Sequence, residues 1–396
     1  MKRRLLFLAL IATARADFAL QDGDTVAFLG DSITAARGYT KVVEHYTLMR
    51  FPDRKVRFVN AGEGGDTASK CLDRLQRDVF DQGATVVTVA FGINDIGWGT
   101  KADDEHKQAY LDGIRTIIGR CREKKVRPFI CSPAVTEGNP DKAEKEYLQT
   151  MADEGMALAK SLGVETIDLQ RGMREIQRKV IESNKTTKEE DRTYLHVKDG
   201  IHLTDFGQLA MGYAMLKGLG APENVSAVTL SAGGVETDGC TVNEVEWSAD
   251  GVAFTRLDEG LPLNFGPFTA LQYRWIPVPD GINRYLLTVR DLPEGEYEIV
   301  AGGRSLGKAS ASELARGMNI SSRTGNAWFP GGPWDLQSCV VKELVDARDK
   351  LWMGGQLAKD DPEVVAGVKE LDDEMVDLQR LAAKPRPYRF EITRVP

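Results

Sequence analysis

The sequence predicts an α/β fold over its first half, a three-layer α/β/α sandwich around a parallel five-stranded sheet, followed by a C-terminal β-rich region with two helices. Three observations predict it. Up to about residue 220, short runs rich in β-branched residues alternate with longer amphipathic runs, a rhythm that demands crossover connections and therefore parallel strands. Beyond Gly218-Leu219-Gly220-Ala221-Pro222 the rhythm changes to short strands punctuated by Gly and Pro. Near the end, two long stretches return to helical spacing.

The expected strands of the first half are 25–29, 56–60, 85–91, 126–131 and 164–169. Between them the spacing of apolar residues predicts helices over 41–49, 67–80, 103–123 and 141–162, with another from 204 to 218. In the second half, strands are expected at 225–231, 242–247, 252–257, 285–290 and 297–301, with a turn at 291–296, as a small antiparallel β domain. Helices are expected over 334–353 and 362–382. The second repeats Val364, Val368, Leu371, Met375, Leu378 and Ala382, a stripe that should be buried. The alternation of Tyr388, Phe390 and Ile392 predicts a final strand returning to the β domain.

The chain opens with three cationic residues, an apolar run from Leu5 to Ala12, and Ala14-Arg15-Ala16 at cleavage-type spacing, which reads as a secretory signal peptide cleaved after Ala16. The apolar run is far short of the roughly 20 residues that span a bilayer, so no membrane span is expected. The organisation expected is therefore a signal peptide (1–16), an α/β domain (17–221) and a β-rich domain with a helical pair (222–396), in a secreted or periplasmic protein. Net charge is −8, and removing Lys2, Arg3, Arg4 and Arg15 would make the protein more acidic. An acidic chain with no dense basic patch argues against nucleic acid as a partner. The five cysteines, at 71, 121, 131, 240 and 339, are too few for a disulfide framework, and their pairing and the oligomeric state are not readable from spacing.

In an open parallel sheet, sites form beyond the carboxyl ends of the strands. There the sequence places Gly30-Asp31-Ser32-Ile33-Thr34 after the first strand and Gly64-Gly65-Asp66-Thr67 after the second. Gly92-Ile93-Asn94-Asp95 follows the third, and Asp199-Gly200-Ile201-His202 lies beyond the fifth. Each supplies a part that acyl transfer needs. Ser32 offers a hydroxyl that requires a base, His202 is an available base, and Asp199 three residues earlier can fix its tautomer. The N–H groups of Ser32 and Gly65 and the amide of Asn94 suit an oxyanion hole, with Gly64 a rival to Gly65.

These four blocks, in this order, make the chain resemble the SGNH/GDSL hydrolases over roughly residues 24–220. The resemblance implies a flavodoxin-like catalytic domain, Ser32 as nucleophile, Gly65 and Asn94 in the oxyanion hole, His202 as base with Asp199 as its partner, and neither metal nor other cofactor. One departure is Leu203, where members often carry Pro. Asp31 and Trp98 are candidate substrate-binding residues, Trp98 because an aromatic face suits a sugar ring. The resemblance allows an O-acetyl esterase of carbohydrate, with a lipid-directed esterase, lysophospholipase or thioesterase as alternatives. A non-catalytic carbohydrate-binding module is the reading from another class.

The bland readings are concrete. Asp-Ser before a helix is an ordinary N-cap, Asn94-Asp95 a plain turn, and Asp66 or Thr67 a cap of the next helix. A second serine motif, Gly303-Arg304-Ser305-Leu306-Gly307, satisfies G-x-S-x-G, but its surroundings read as a β-hairpin and all four histidines precede it. His196 lacks an acid three residues before it, and His45 and His106 lie in helices without ligand-spaced partners. Trp328 and Trp334 either cover the site edge or staple the helical pair.

Overall fold

A computed structural model describes residues 18–396 apart from 327, 330 and 359; the expected signal peptide lies outside the described residues. In chain order the first half runs β1 (Thr25–Gly30), α1 (Ser32–Ala35), α2 (Gly38–Arg50), β2 (Arg57–Gly62), β3 (Val86–Ala90), α3 (Asp104–Glu123), β4 (Arg127–Cys131), α4 (Pro140–Ala143), α5 (Tyr147–Ser161), β5 (Glu165–Ile167), α6 (Leu169–Asn184) and α7 (Asp205–Gly218). The five strands form one parallel sheet in the order β2-β1-β3-β4-β5. The connection from β1 leads to β2 on one side and the next returns to β3 on the other, so the turn after β1 opens at the topological switch point.

Side chains alternate across the strands, and each face has its own core. Ala27, Leu29, Val87 and Val89 pack with Ile114, Ile118 and Met151 from α3 and α5. Val26 and Phe28 face the other way, toward Val43, Met173 and Leu209 from α2, α6 and α7.

Two expected helices and one expected strand differ. Over 67–80 the chain forms a 3-10 turn (Lys70–Asp73) and a π turn (Gln76–Phe80), with buried Arg74 at the junction. The run 141–162 is split between Ala143 and Tyr147. The fifth strand stops at Ile167, where Asp168 accepts from Arg171 N–H and caps an unexpected helix, α6, whose Leu169, Met173, Ile176 and Val180 are buried.

The second half contains β6 (Asn224–Ser231), β7 (Gly234–Asp238), β8 (Cys240–Ser248), β9 (Gly251–Asp258), short helices α8 (Pro267–Ala270) and α9 (Val278–Gly281), β10 (Arg284–Val289), β11 (Glu296–Ala301), β12 (Arg304–Ser310), α10 (Ala311–Arg316), β13 (Met318–Asn319), α11 (Pro333–Leu357), α12 (Pro362–Ala383) and β14 (Tyr388–Arg394). They form two sheets, β13-β10-β6-β7 and β12-β11-β14-β9-β8. The pairing is not wholly antiparallel as expected, because β10 lies parallel to β6. The last strand returns between β9 and β11.

Trp334 is fully buried, donates to Ser321 O, and packs on Tyr285 and Phe390, so it staples α11 to the β region; Trp328 is exposed. On α12 the stripe expected to be buried is only partly covered: Val364, Leu371 and Leu378 are exposed and Val368, Met375 and Ala382 half-buried, while Val376, Gln379 and Ala383 are buried. Polar anchors set the rotation of the helix. Arg348 of α11 binds Glu44 of α2 at 3.0 Å and Asp372 of α12 at 2.7 Å, and Gln379 donates to the same Glu44. The helical pair is thereby fixed on the first half, and Val43 and Leu209 share one apolar body with Leu230, Phe254 and Trp334.

Candidate active site

Ser32 begins α1 directly beyond β1. Asp31 is its N-cap, buried, with its carboxylate accepting from Ile33 N–H at 2.9 Å; burial pushes its pKa up to about 6. The turn is tight because glycines admit it. A Cβ on Gly62 at the end of β2 would collide with the backbone of Thr34 and Ala35, so α1 lies directly on β2. Asn60 fastens that contact, donating to Thr34 O at 2.8 Å.

His202 lies in a bend ahead of α7, whose N-cap is Thr204. Its Nε2 is 2.8 Å from Ser32 Oγ, and its Nδ1 is 2.7 Å from Asp199 Oδ2. An ionised carboxylate only accepts, so Nδ1 carries the proton and Nε2 is left to accept from the Ser32 hydroxyl. The other Asp199 oxygen accepts from the N–H groups of Ile201 and His202, both at 2.9 Å. The hydrogen bond from His202, reinforced by these two, holds the Asp199 carboxyl at about 2, well below the usual carboxylate range.

The loop after β2 carries Gly65 at φ 73°, a left-handed conformation that favours glycine, whereas Gly64 needs no such freedom. Among the described residues no protein acceptor meets the N–H of Ser32 or of Gly65. Asn94, after β3, donates through Nδ2 to Asp66 O at 3.1 Å, which ties the third motif to the residue beside Gly65. Asp95 accepts from Ala68 N–H at 3.0 Å, a second tie between the same loops; it is buried, and burial raises its pKa to about 7. Trp98 is 49% exposed, donates its indole N–H to Asn94 Oδ1 at 2.8 Å, and stands edge-on to His202 at 5.7 Å between ring centroids.

Sequence reasoning missed Arg74. Its guanidinium donates to Gly30 O, Ala61 O and Asp66 Oδ2 at 3.1, 2.7 and 2.7 Å, joining the end of β1, the end of β2 and the glycine loop. No motif marks it; the one signal is the carboxylates Asp66 and Asp78 placed to pair with it. A cavity of about 530 Å³ opens beside the same loop, lined by Gly62, Glu63, Asp66 and Arg77 and by Trp352 of α11. Another, of about 550 Å³, is lined by residues of α2 and α7 with Phe265 and Lys342; neither cavity is lined by Ser32, Asp199 or His202.

The other candidates fall elsewhere. Ser305 lies in the β11–β12 hairpin, hydrogen-bonded to Glu298 at 2.9 Å. His196 is buried and donates to Val135 O, His45 meets Ser338, and His106 meets Asp103. All five cysteines are free thiols, four of them buried. Among the described residues no group of His, Cys, Asp and Glu is arranged for a metal, and no helix is long and apolar enough to cross a membrane.

The profile of the GDSL-like Lipase/Acylhydrolase family matches residues 28–210, from the end of β1 into α7. Residues 28–210 are a GDSL-type hydrolase domain. The chain is 31% identical over 144 residues to the uncharacterized lipoprotein YqeF of Bacillus subtilis (strain 168), a stretch that takes in 34% of this chain and 58% of that one. It is 25% identical over 181 residues to the acetylxylan esterase of Geobacillus stearothermophilus, covering 39% of this chain and 80% of the esterase. In fold, a gut microbial diltiazem-metabolizing enzyme superposes on 95% of this chain and 98% of its own, with a TM-score of 0.81 at 21% identity. The β region and helical pair beyond the hydrolase domain therefore recur with it in another protein.

Proposed function

We propose that the protein is an exported serine esterase that removes O-acetyl groups from carbohydrate through an acyl-enzyme. The observation that carries this reading is the unbroken chain Ser32 Oγ, His202 Nε2, His202 Nδ1, Asp199 Oδ2, with links of 2.8 and 2.7 Å. Ser32 Oγ attacks the ester carbonyl as its proton passes to His202 Nε2. The N–H groups of Ser32 and Gly65 and one hydrogen of Asn94 Nδ2 receive the oxyanion. Collapse expels the sugar oxygen, which takes the proton from His202 and leaves an acetyl ester on Ser32. Water then attacks that ester, giving its proton to Nε2, and acetate departs as Ser32 regains its hydrogen. Asp199 stays ionised throughout and stabilises the imidazolium. Asp31 serves as the helix cap in this scheme and Trp98 stands beside the acyl position.

Carbohydrate as the leaving group is supported by the acetylxylan esterase relative and by the half-exposed Trp98, whose ring stands beside His202. Export is supported by the signal-type N-terminus and by the lipoprotein relative. Acetate release should be measured from a panel of acetylated glycans beside lysophospholipids. Release from glycans is expected, and release from the lipids alone would overturn the substrate reading.

A further inference from the structure

Trp98 sits in a costly place. Its backbone is left-handed, φ 57° and ψ 33°, between Gly97 at φ 53° and Gly99 at φ 92°. Such a conformation is rare for a bulky residue and persists where its surroundings over-determine it. Burial does not explain it, since half of the side chain is exposed. Two contacts do. The main-chain N–H of Trp98 donates to Ile93 O at 2.9 Å, and the indole N–H donates to Asn94 Oδ1 at 2.8 Å.

The second contact carries chemical information. An indole N–H only donates, so the carbonyl end of the Asn94 amide must face Trp98 and the NH₂ end must face away. One of the two NH₂ hydrogens is used by Asp66 O at 3.1 Å, which leaves one donor, in a fixed direction. Without the indole, the contact with Asp66 O alone opposes a flip of the amide that would present an oxygen where a negative charge would develop.

We propose that Trp98 is a positioning residue of the oxyanion hole, its indole N–H locking Asn94 with the amide nitrogen toward the reacting carbonyl. This rests on the reading of Ser32 as nucleophile. Rates on p-nitrophenyl acetate for Trp98→Phe, Asn94→Ala and the double variant test it. Phe keeps a ring and removes the N–H, so kcat should fall about 10-fold with KM within about twofold. Asn94→Ala should cost about 10²-fold or more. Because Trp98 acts through Asn94, the double variant should be no slower than Asn94→Ala alone. A Trp98→Phe penalty that multiplies with that of Asn94→Ala, or the absence of any penalty, would overturn the proposal.

A second measurement does not depend on turnover. The Trp98 indole N–H resonance, assigned by its disappearance in Trp98→Phe, should exchange slowly with water in the unsubstituted protein and rapidly in Asn94→Ala; equal exchange in both overturns the contact. Retained activity in Ser32→Ala would instead sink the nucleophile reading, and neither of these measurements would be mistaken for it.

Discussion

His202 Nε2 lies 2.8 Å from Ser32 Oγ, although 170 positions separate the two residues in the chain. The fold closes that gap by placing the turn after β1 and the bend before α7 on one edge of the sheet. Ser32→Ala and His202→Ala should each lower kcat on p-nitrophenyl acetate by about 10³-fold or more, and the double variant should be little worse than either, since the pair acts as a unit. Steady-state kinetics with a melting curve for each variant checks this. Additive losses would show that the two side chains work separately.

Asp95 and Asp31 give a pH signature. Burial raises both from 3.8, to about 7 and about 6. Each holds a proton in the folded state over a window in which the unfolded chain has released it. Stability from these groups is present below about pH 4 and is lost as pH rises through 6 and 7. Thermal melts should therefore show a gain on acidification from pH 8 to pH 5.5. Asp95→Asn keeps an oxygen for Ala68 N–H and carries no charge, so it should reduce that gain and stabilise the protein at pH 8 by about 1–3 kcal/mol. An undiminished gain in the variant would count against the assignment.

Gly62→Ala should damage the site without touching a reactive group. The added Cβ meets the backbone of Thr34 and Ala35, which cannot swing away as a flexible side chain would, and α1 must lift with Ser32 on it. The expected result is a fall in Tm together with about a 10-fold or larger loss of kcat. Gly64→Ala, where a Cβ meets open space, is the control. Equal kinetics for the two variants would refute the argument.

The Arg348 anchor should be worth several kcal/mol to break and little to replace. Arg348→Met leaves Glu44 buried beside an apolar group, at a cost of about 3–5 kcal/mol. Adding Glu44→Met should recover much of that loss, because a buried ion pair and an apolar pair of similar volume are nearly equivalent. Urea unfolding of the three proteins measures it, and a double variant as unstable as the single one would contradict the expectation.

The five parallel strands were legible because Val26, Phe28, Val87 and Val89 belong to runs apolar on both faces, a pattern that buried parallel strands impose. The four motifs were legible because each follows such a strand. Arg74 was not, since the two contacts that join it to the ends of β1 and β2 are to backbone carbonyls that any sequence would offer. It also lies where period-four spacing of Cys71, Leu75 and Val79 imitates an α-helix, although the chain tightens and then widens there. The outward turn of Val364 and Leu371 was hidden for a similar reason: the orientation of α12 follows Gln379, whose partner Glu44 lies 335 residues away in α2, and Asp372, which binds Arg348 of α11. The parallel pairing of β6 with β10 has no local sequence mark at all.

The apolar body that runs from Val43 and Leu209 through to Leu230, Phe254 and Trp334 has a consequence for how such proteins diversify. A module joined by a tether can be exchanged by recombination without harm to its neighbour. Here a break near residue 221 would bare the side of α2 on which α11 and α12 are anchored through Glu44, so the two halves should melt in a single cooperative transition and be inherited together. New substrates would then arise by substitutions along the rim they share, around Trp352 and the glycine loop, more readily than by trading one half for another.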